Sequence, residues 1–165
     1  MEKVLLVEPA DCTGCRLCEV VCSLKHYGEC NPARSLIRIM RWEWEAVDIP
    51  AVCQQCEKPV CQEVCPVGAY SRNEKTSAMI INQDICIGCR TCIMACPFGG
   101  ASIDTENRRT VKCDLCDGDP ACVKYCSTGA LQWVKADTYN LMKKRVGIQK
   151  MSELLESVVT ASPGR

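Results

Sequence analysis

The chain has 165 residues, 17 of them cysteine, and its 20 basic and 20 acidic side chains cancel to a formal charge of zero. Apolar types reach 47%, but cysteine is counted among them and the aromatics are only one Phe, four Tyr and three Trp, a thin core for side-chain burial alone to stabilise. That composition excludes an ordinary enzyme domain and leaves a secreted disulfide scaffold, structural zinc or iron–sulfur clusters.

At the amino terminus the apolar run Val4 to Val7 is far shorter than a secretory leader, and no later stretch approaches the ~20 apolar residues of a membrane span. The expectation is a chain without a membrane span in the reducing cytoplasm, where thiolates serve metals better than each other. A short β-type run ending at Val7 leads through a polar turn into the first cysteine group, Cys12, Cys15, Cys18 and Cys22. The longest gap, Ser23 to Val52, contains a strand-like stretch from Ser35 to Trp44, on which Arg38 and Arg41 read as a solvated face. Trp42 and Trp44, at period two, suit either local packing or the cover of a cluster or partner. His26, the lone histidine, reads as structural, and Cys30 as a free thiol whose spacing fits no group.

The second group is Cys53, Cys56, Cys61 and Cys65. A β-type run ending at Ile81 then leads to the third, Cys86, Cys89, Cys92 and Cys96, and the fourth is Cys113, Cys116, Cys122 and Cys126. Exit segments repeat as well: Cys65-Pro66-Val67-Gly68-Ala69, Cys96-Pro97-Phe98-Gly99-Gly100-Ala101 and Cys126-Ser127-Thr128-Gly129-Ala130. The predicted repeat is strand, ligand loop, short helix, turn, strand, with glycine permitting the tight exit. Beyond residue 136, Ile148, Met151, Leu155 and Val158 follow helical spacing beside the basic run Lys143-Lys144-Arg145, so residues 137–165 read as a helical tail that either packs back or docks on a partner. That basic run is short and lacks interleaved aromatics, so no nucleic acid partner is expected.

The first and third groups read C-x2-C-x2-C-x3-C, the second C-x2-C-x4-C-x3-C and the fourth C-x2-C-x5-C-x3-C. A cubane 4Fe-4S cluster needs three thiolates from a wrapped loop and a fourth from elsewhere. The closing C-x3-C step, if helical, carries the fourth sulfur roughly 6 Å along the axis, where it suits a second cluster, as in two-cluster ferredoxins. Proline after Cys65 and Cys96 stops a helix there, whereas Ser23 and Ser127 take that place in the other groups. Zinc sites favour two separated C-x2-C pairs, and an odd cysteine total with no sign of export speaks against disulfides. No nucleotide fingerprint or Ser/His/Asp set accompanies the cysteines, and with full cysteine ligation no open coordination position is visible, so the chain is not expected to catalyse a reaction itself.

With these four groups, the Pro50-Ala51-Val52-Cys53-Gln54-Gln55-Cys56 entry and Lys112-Cys113-Asp114-Leu115-Cys116, residues 4 to 135 resemble the ferredoxin-type iron–sulfur subunits of molybdenum and tungsten oxidoreductases, of the dimethyl sulfoxide reductase and formate dehydrogenase small-subunit type. In size the chain is most similar to the electron-transfer subunit of tungsten-containing aldehyde oxidoreductases and related benzoyl-CoA reductase complexes. The resemblance implies an α+β fold of two nested bacterial-ferredoxin-like modules, the outer from residues 1–52 plus 108–136 and the inner from 53–107. It implies four 4Fe-4S clusters, held by Cys12, Cys15, Cys18 and Cys126; by Cys113, Cys116, Cys122 and Cys22; by Cys53, Cys56, Cys61 and Cys96; and by Cys86, Cys89, Cys92 and Cys65. The implied partners are a large tungsten- or molybdenum-pterin catalytic subunit and a flavin-containing or other redox subunit. A freely diffusing polyferredoxin and a zinc or metal-storage protein are the rival readings. Each loaded site adds about −2 to the charge, so the body would be acidic.

Overall fold

The computed structural model describes residues 3–137 and Ile148. The chain divides into one unit of residues 5–133 and another of residues 1–4 with 134–165. The described elements are strand β1 (Lys3–Val7), helix α1 (Leu17–Tyr27), strands β2 (Ile37–Trp42) and β3 (Val47–Val52), helix α2 (Val60–Glu63), strands β4 (Tyr70–Arg72) and β5 (Met79–Ile81), helix α3 (Thr91–Ala95), strands β6 (Ala101–Ile103) and β7 (Thr110–Lys112), helix α4 (Ala121–Lys124) and strand β8 (Leu131–Lys135). Every described sheet has two strands: β1 with β8, β2 with β3, β4 with β5 and β6 with β7.

The repeat expected from the cysteine flanks is present, and each helix opens at a cysteine. Cys18, Cys61, Cys92 and Cys122 all lie in the first turn of a helix. Before α1 and α3 the residue following the second cysteine, Arg16 or Arg90, takes a left-handed conformation with φ of 59° and 65°. That conformation costs a non-glycine residue of order 1–3 kcal/mol, so the ligand loop is held by something beyond local preference. Three of the helices stop within five residues, and the chain then turns by the same bond each time: Gly68, Gly99 and Gly129 donate their N–H groups to the carbonyls of Cys65, Cys96 and Cys126. Their φ values of 62°, 60° and 75° are what glycine supplies at no steric cost.

Helix α1 departs from this pattern and runs eleven residues. With Ser23 in place of proline the backbone N–H is kept. The serine hydroxyl donates to the Val20 carbonyl and accepts from the Asn31 N–H, so a fully buried polar group is satisfied. Gly28, in the left-handed region, closes the helix through its N–H to Leu24. In the fourth group Ser127 does not lengthen α4, because the glycine turn at Gly129 ends it instead.

The strand-like stretch from Ser35 to Trp44 is β2, trimmed at both ends. Its partner β3 carries no clear alternation and contains Pro50, which pairs with Ile39. Proline is accommodated because a two-stranded sheet has only edge strands. Arg41 forms an exposed pair with Asp48 at 2.8 Å, as a solvated face requires. Trp44 is 98% exposed and covers nothing within the described residues.

One polar contact holds two distant segments together. The Asp104 carboxylate, fully buried in the turn between β6 and β7, accepts two bonds from Arg34 at 2.9 and 2.8 Å, and Arg34 stacks over the Tyr27 ring. The Arg34 guanidinium bonds hold the Asp104 carboxyl below the usual carboxylate range against the opposing effect of burial. The stability from this pair is therefore present above the unfolded carboxyl's pKa of about 4 and is lost as pH falls through the depressed folded value. Replacing Asp104 with alanine is expected to cost about 3 kcal/mol, the low end for breaking a buried pair, because Arg34 keeps Glu29 and some access to water. Urea denaturation of the loaded protein, followed by its iron–sulfur absorbance, measures the shift.

Candidate metal centres

Two apolar clusters surround the cysteines. Cys18, Cys22 and Cys122 are buried with Ile37, Ile39, Val52 and Leu131, with Cys12, Cys113 and Cys126 packed against them. Cys92 is buried with Tyr70 and Met79, with Cys61 and Cys65 packed against it. The first cluster joins the first and fourth cysteine groups, which lie far apart in the chain, and the second joins the second and third.

At finer scale, cysteines of different groups are brought near one another. Cys12, Cys15, Cys18 and Cys126 line one cavity, roofed by Ile39, Pro50 and Leu131. Burial pushes Cys122 up to about 12, and the thiolates that add to this are Cys116, Cys22 and Cys18. Burial likewise raises Cys61; Lys112 opposes the rise, and Cys53 and Cys96 reinforce it. Cys92, Cys61 and Cys65 all lie within electrostatic reach of the Tyr70 hydroxyl. Cys56, Cys86 and Cys89 complete the second and third groups within their loops, and of these Cys89 is exposed. Cys30 is exposed, outside every set.

The fourth cysteines are approached by backbone N–H groups. Cys65 accepts from Ala69 at 3.3 Å and Cys96 from Gly100 at 3.2 Å, the same donor position after each exit turn. Cys22 accepts instead from Leu36 at 3.4 Å, since α1 continues past it. At Gly100 the backbones of the second and third groups meet, for a Cβ there would lie 2.8 Å from the Cα of Cys53. Bonds of this kind favour thiolate over thiol. Burial pushes Cys22 up, but bonds from His26, Leu36 and Ser35 outweigh it and hold the thiol below its ordinary value.

Three side chains that sequence reasoning passed over belong to these sites. The His26 Nε2 lies 3.5 Å from both the Cys116 sulfur and an Asp114 oxygen. Bonding to Cys116 and then Cys22 pushes the ring up to about 10, against its burial. The Tyr70 hydroxyl is buried without a hydrogen-bond partner among the described residues, next to Cys92. Lys112 is 7% exposed and its ammonium donates to the Met79 and Cys113 carbonyls and toward Gln55 Oε1. A strand in which Thr110 and Lys112 face inward while Val111 does not is the one trace this leaves in the sequence.

The donor set fits an iron–sulfur cluster. Cysteines from different parts of the chain are brought together, backbone N–H groups aim at sulfur, and an orphaned tyrosine hydroxyl has room for an acceptor such as a cluster sulfide. The family of 4Fe-4S dicluster domains matches residues 44–136, and a 4Fe-4S binding domain matches residues 9–28. The chain belongs to the 4Fe-4S dicluster family. It is 40% identical over 136 residues to the polyferredoxin-like subunit of aliphatic sulfonate oxidoreductase from Pyrococcus furiosus, covering 82% of this chain and 78% of that one. It is 37% identical over 142 residues to the putative electron transport protein YsaA of Escherichia coli K12, covering 80% and 89%. A chain of the benzoyl coenzyme A reductase active-site complex BamBC is similar at 26% identity and a TM-score of 0.47, over 80% of this chain and 75% of that one. This member of the dicluster family is thus a ferredoxin-type electron-transfer protein, related to polyferredoxin-like subunits of oxidoreductase complexes.

Proposed function

We propose that the chain holds four 4Fe-4S clusters in series and relays electrons between a large tungsten- or molybdenum-pterin catalytic subunit that oxidises aldehydes and a second redox subunit, flavin-containing or other. The ligand sets are those the resemblance implies: Cys12, Cys15, Cys18, Cys126; Cys113, Cys116, Cys122, Cys22; Cys53, Cys56, Cys61, Cys96; and Cys86, Cys89, Cys92, Cys65. Packing of α1 on α4 and of α2 on α3 supports the nested division into an outer and an inner module, with the boundary in the turn of the β6–β7 hairpin. Each bound cluster supplies one-electron chemistry and no more. The protein holds the sulfurs, donates to them and keeps water from the middle of the row.

The observation that carries the relay is where ligands reach the surface. Among the sixteen, only Cys15 and Cys89 are exposed, and they belong to the first and last sets. The two middle sets adjoin, since Cys113 is influenced by Cys53 and its carbonyl accepts from Gln55 at 2.8 Å. A row open at both ends suits conduction between two partners. Exposed apolar side chains beside the Cys89 loop, Ile87 at 65% and Met94 at 86% among them, favour docking over free diffusion. The tail of residues 137–165, suggested by its sequence as a docking arm, lies outside the described residues except Asp137 and the exposed Ile148. Among the described residues no helix is long and apolar enough to cross a membrane.

Anaerobic purification of the native assembly tests this. The expected result is co-elution with a large chain containing tungsten or molybdenum and with a second redox chain. A monomer that exchanges electrons with soluble donors and carries no partner would contradict it in favour of a diffusing polyferredoxin.

A further inference from the structure

Lys112 is a buried cation whose counter-charge is missing. Its ammonium is held by the Met79 and Cys113 carbonyls and lies 3.5 Å from Gln55 Oε1, all of them neutral acceptors, and it forms no ion pair with a carboxylate among the described residues. A buried ammonium without a partner anion is costly, and proteins seldom keep one unless something nearby carries negative charge. Cys61 lies within its electrostatic reach, and Cys113, whose carbonyl it bonds at 3.0 Å, is its neighbour in sequence and is itself under the influence of Cys53. Gln55 fixes the arrangement, donating to the Cys113 carbonyl and accepting from the Met79 N–H at 2.8 Å.

We propose that Lys112 sets the potentials of the two middle clusters, those of the Cys53, Cys56, Cys61, Cys96 and the Cys113, Cys116, Cys122, Cys22 sets, above those they would have without its charge. This rests on the four-cluster reading and its ligand sets. Each one-electron reduction takes a cluster with its thiolates from about −2 to about −3, with no bond made or broken. A fixed positive charge near such a site stabilises its reduced form, and low dielectric enlarges the effect. The outer sets each expose one ligand to water, Cys15 or Cys89, and none of the hydrogen bonds of the Lys112 ammonium is to a cysteine of either. Lys112 thereby makes the middle of the row the favourable place for an electron and counters the repulsion between two adjacent anions.

Lys112→Met removes the charge and keeps most of the stem. In potentiometric titration followed by paramagnetic resonance, two of the four reduction steps should each become at least tenfold less favourable, about 59 mV lower for a one-electron step. The other two should move much less, and Lys112→Arg should restore the first two. Where Lys112→Met loses iron, Lys112→Gln, which keeps a donor for the same carbonyls, gives the measurement. Unchanged potentials in a variant with full iron overturn the proposal and leave the four clusters standing. Loss of iron from both neutral variants also overturns it, by making Lys112 a folding residue. Wild-type protein with fewer than four clusters overturns the underlying reading instead.

Discussion

Stripping the iron from the protein is expected to abolish its cooperative unfolding. Helices α2, α3 and α4 have four or five residues and the described strands three to six, in sheets of two strands each. Elements so short do not persist alone, since helix nucleation is costly below ~12–15 residues and isolated hairpins are marginal in water. Cysteines supply much of what is buried: Cys18, Cys22, Cys92 and Cys122 stand among a small set of aliphatic side chains. Burial pushes the Cys18 and Cys122 thiols up to about 12, so without metal these two sulfurs are protonated at neutral pH. Loading expels those protons, and cluster affinity therefore falls as pH falls. Circular dichroism of anaerobically chelated protein should show no sharp thermal transition, whereas a cooperative melt of iron-free chain would refute the dependence.

Cys96→Ser should damage the cluster formed with Cys53, Cys56 and Cys61, although Cys96 is four residues from Cys92. The geometry behind this is the reach of Cys96 to Cys61 and the contact of Gly100 with the Cys53 backbone. Double variants make the assignment sharp. Combined with Cys53→Ser, the change should lose no more than one cluster's iron; combined with Cys86→Ser, it should lose two. The reverse pattern, with damage confined to the Cys86, Cys89 and Cys92 site, would show that each loop keeps its own fourth cysteine.

Much of this was legible in the spacing of one residue type. The C-x3-C step places Cys18, Cys61, Cys92 and Cys122 at helix starts, and the Gly68, Gly99 and Gly129 turns follow from the repeated exits. What hid was what depends on burial and long-range contact. Strand β3 was obscured by Pro50, which local preference places outside strands. His26 reads as an isolated ring until α1, prolonged by Ser23, carries it to Cys116, 90 residues away. Tyr70 carries no mark of a site in sequence, and Lys112 only its place in the Lys112-Cys113-Asp114-Leu115-Cys116 motif, because a side chain's lack of a partner is a property of the folded surroundings alone. Lys112 also breaks the usual rule that the charged residue of a strand faces water, and the reason is the negative charge that the clusters would bring.

Metal and acid-labile sulfide analysis of the anaerobically purified chain tests the four-cluster reading most directly. About sixteen iron and sixteen sulfide per chain are predicted, in a brown protein that becomes paramagnetic on reduction with dithionite. A colourless preparation holding zinc and no sulfide would contradict it.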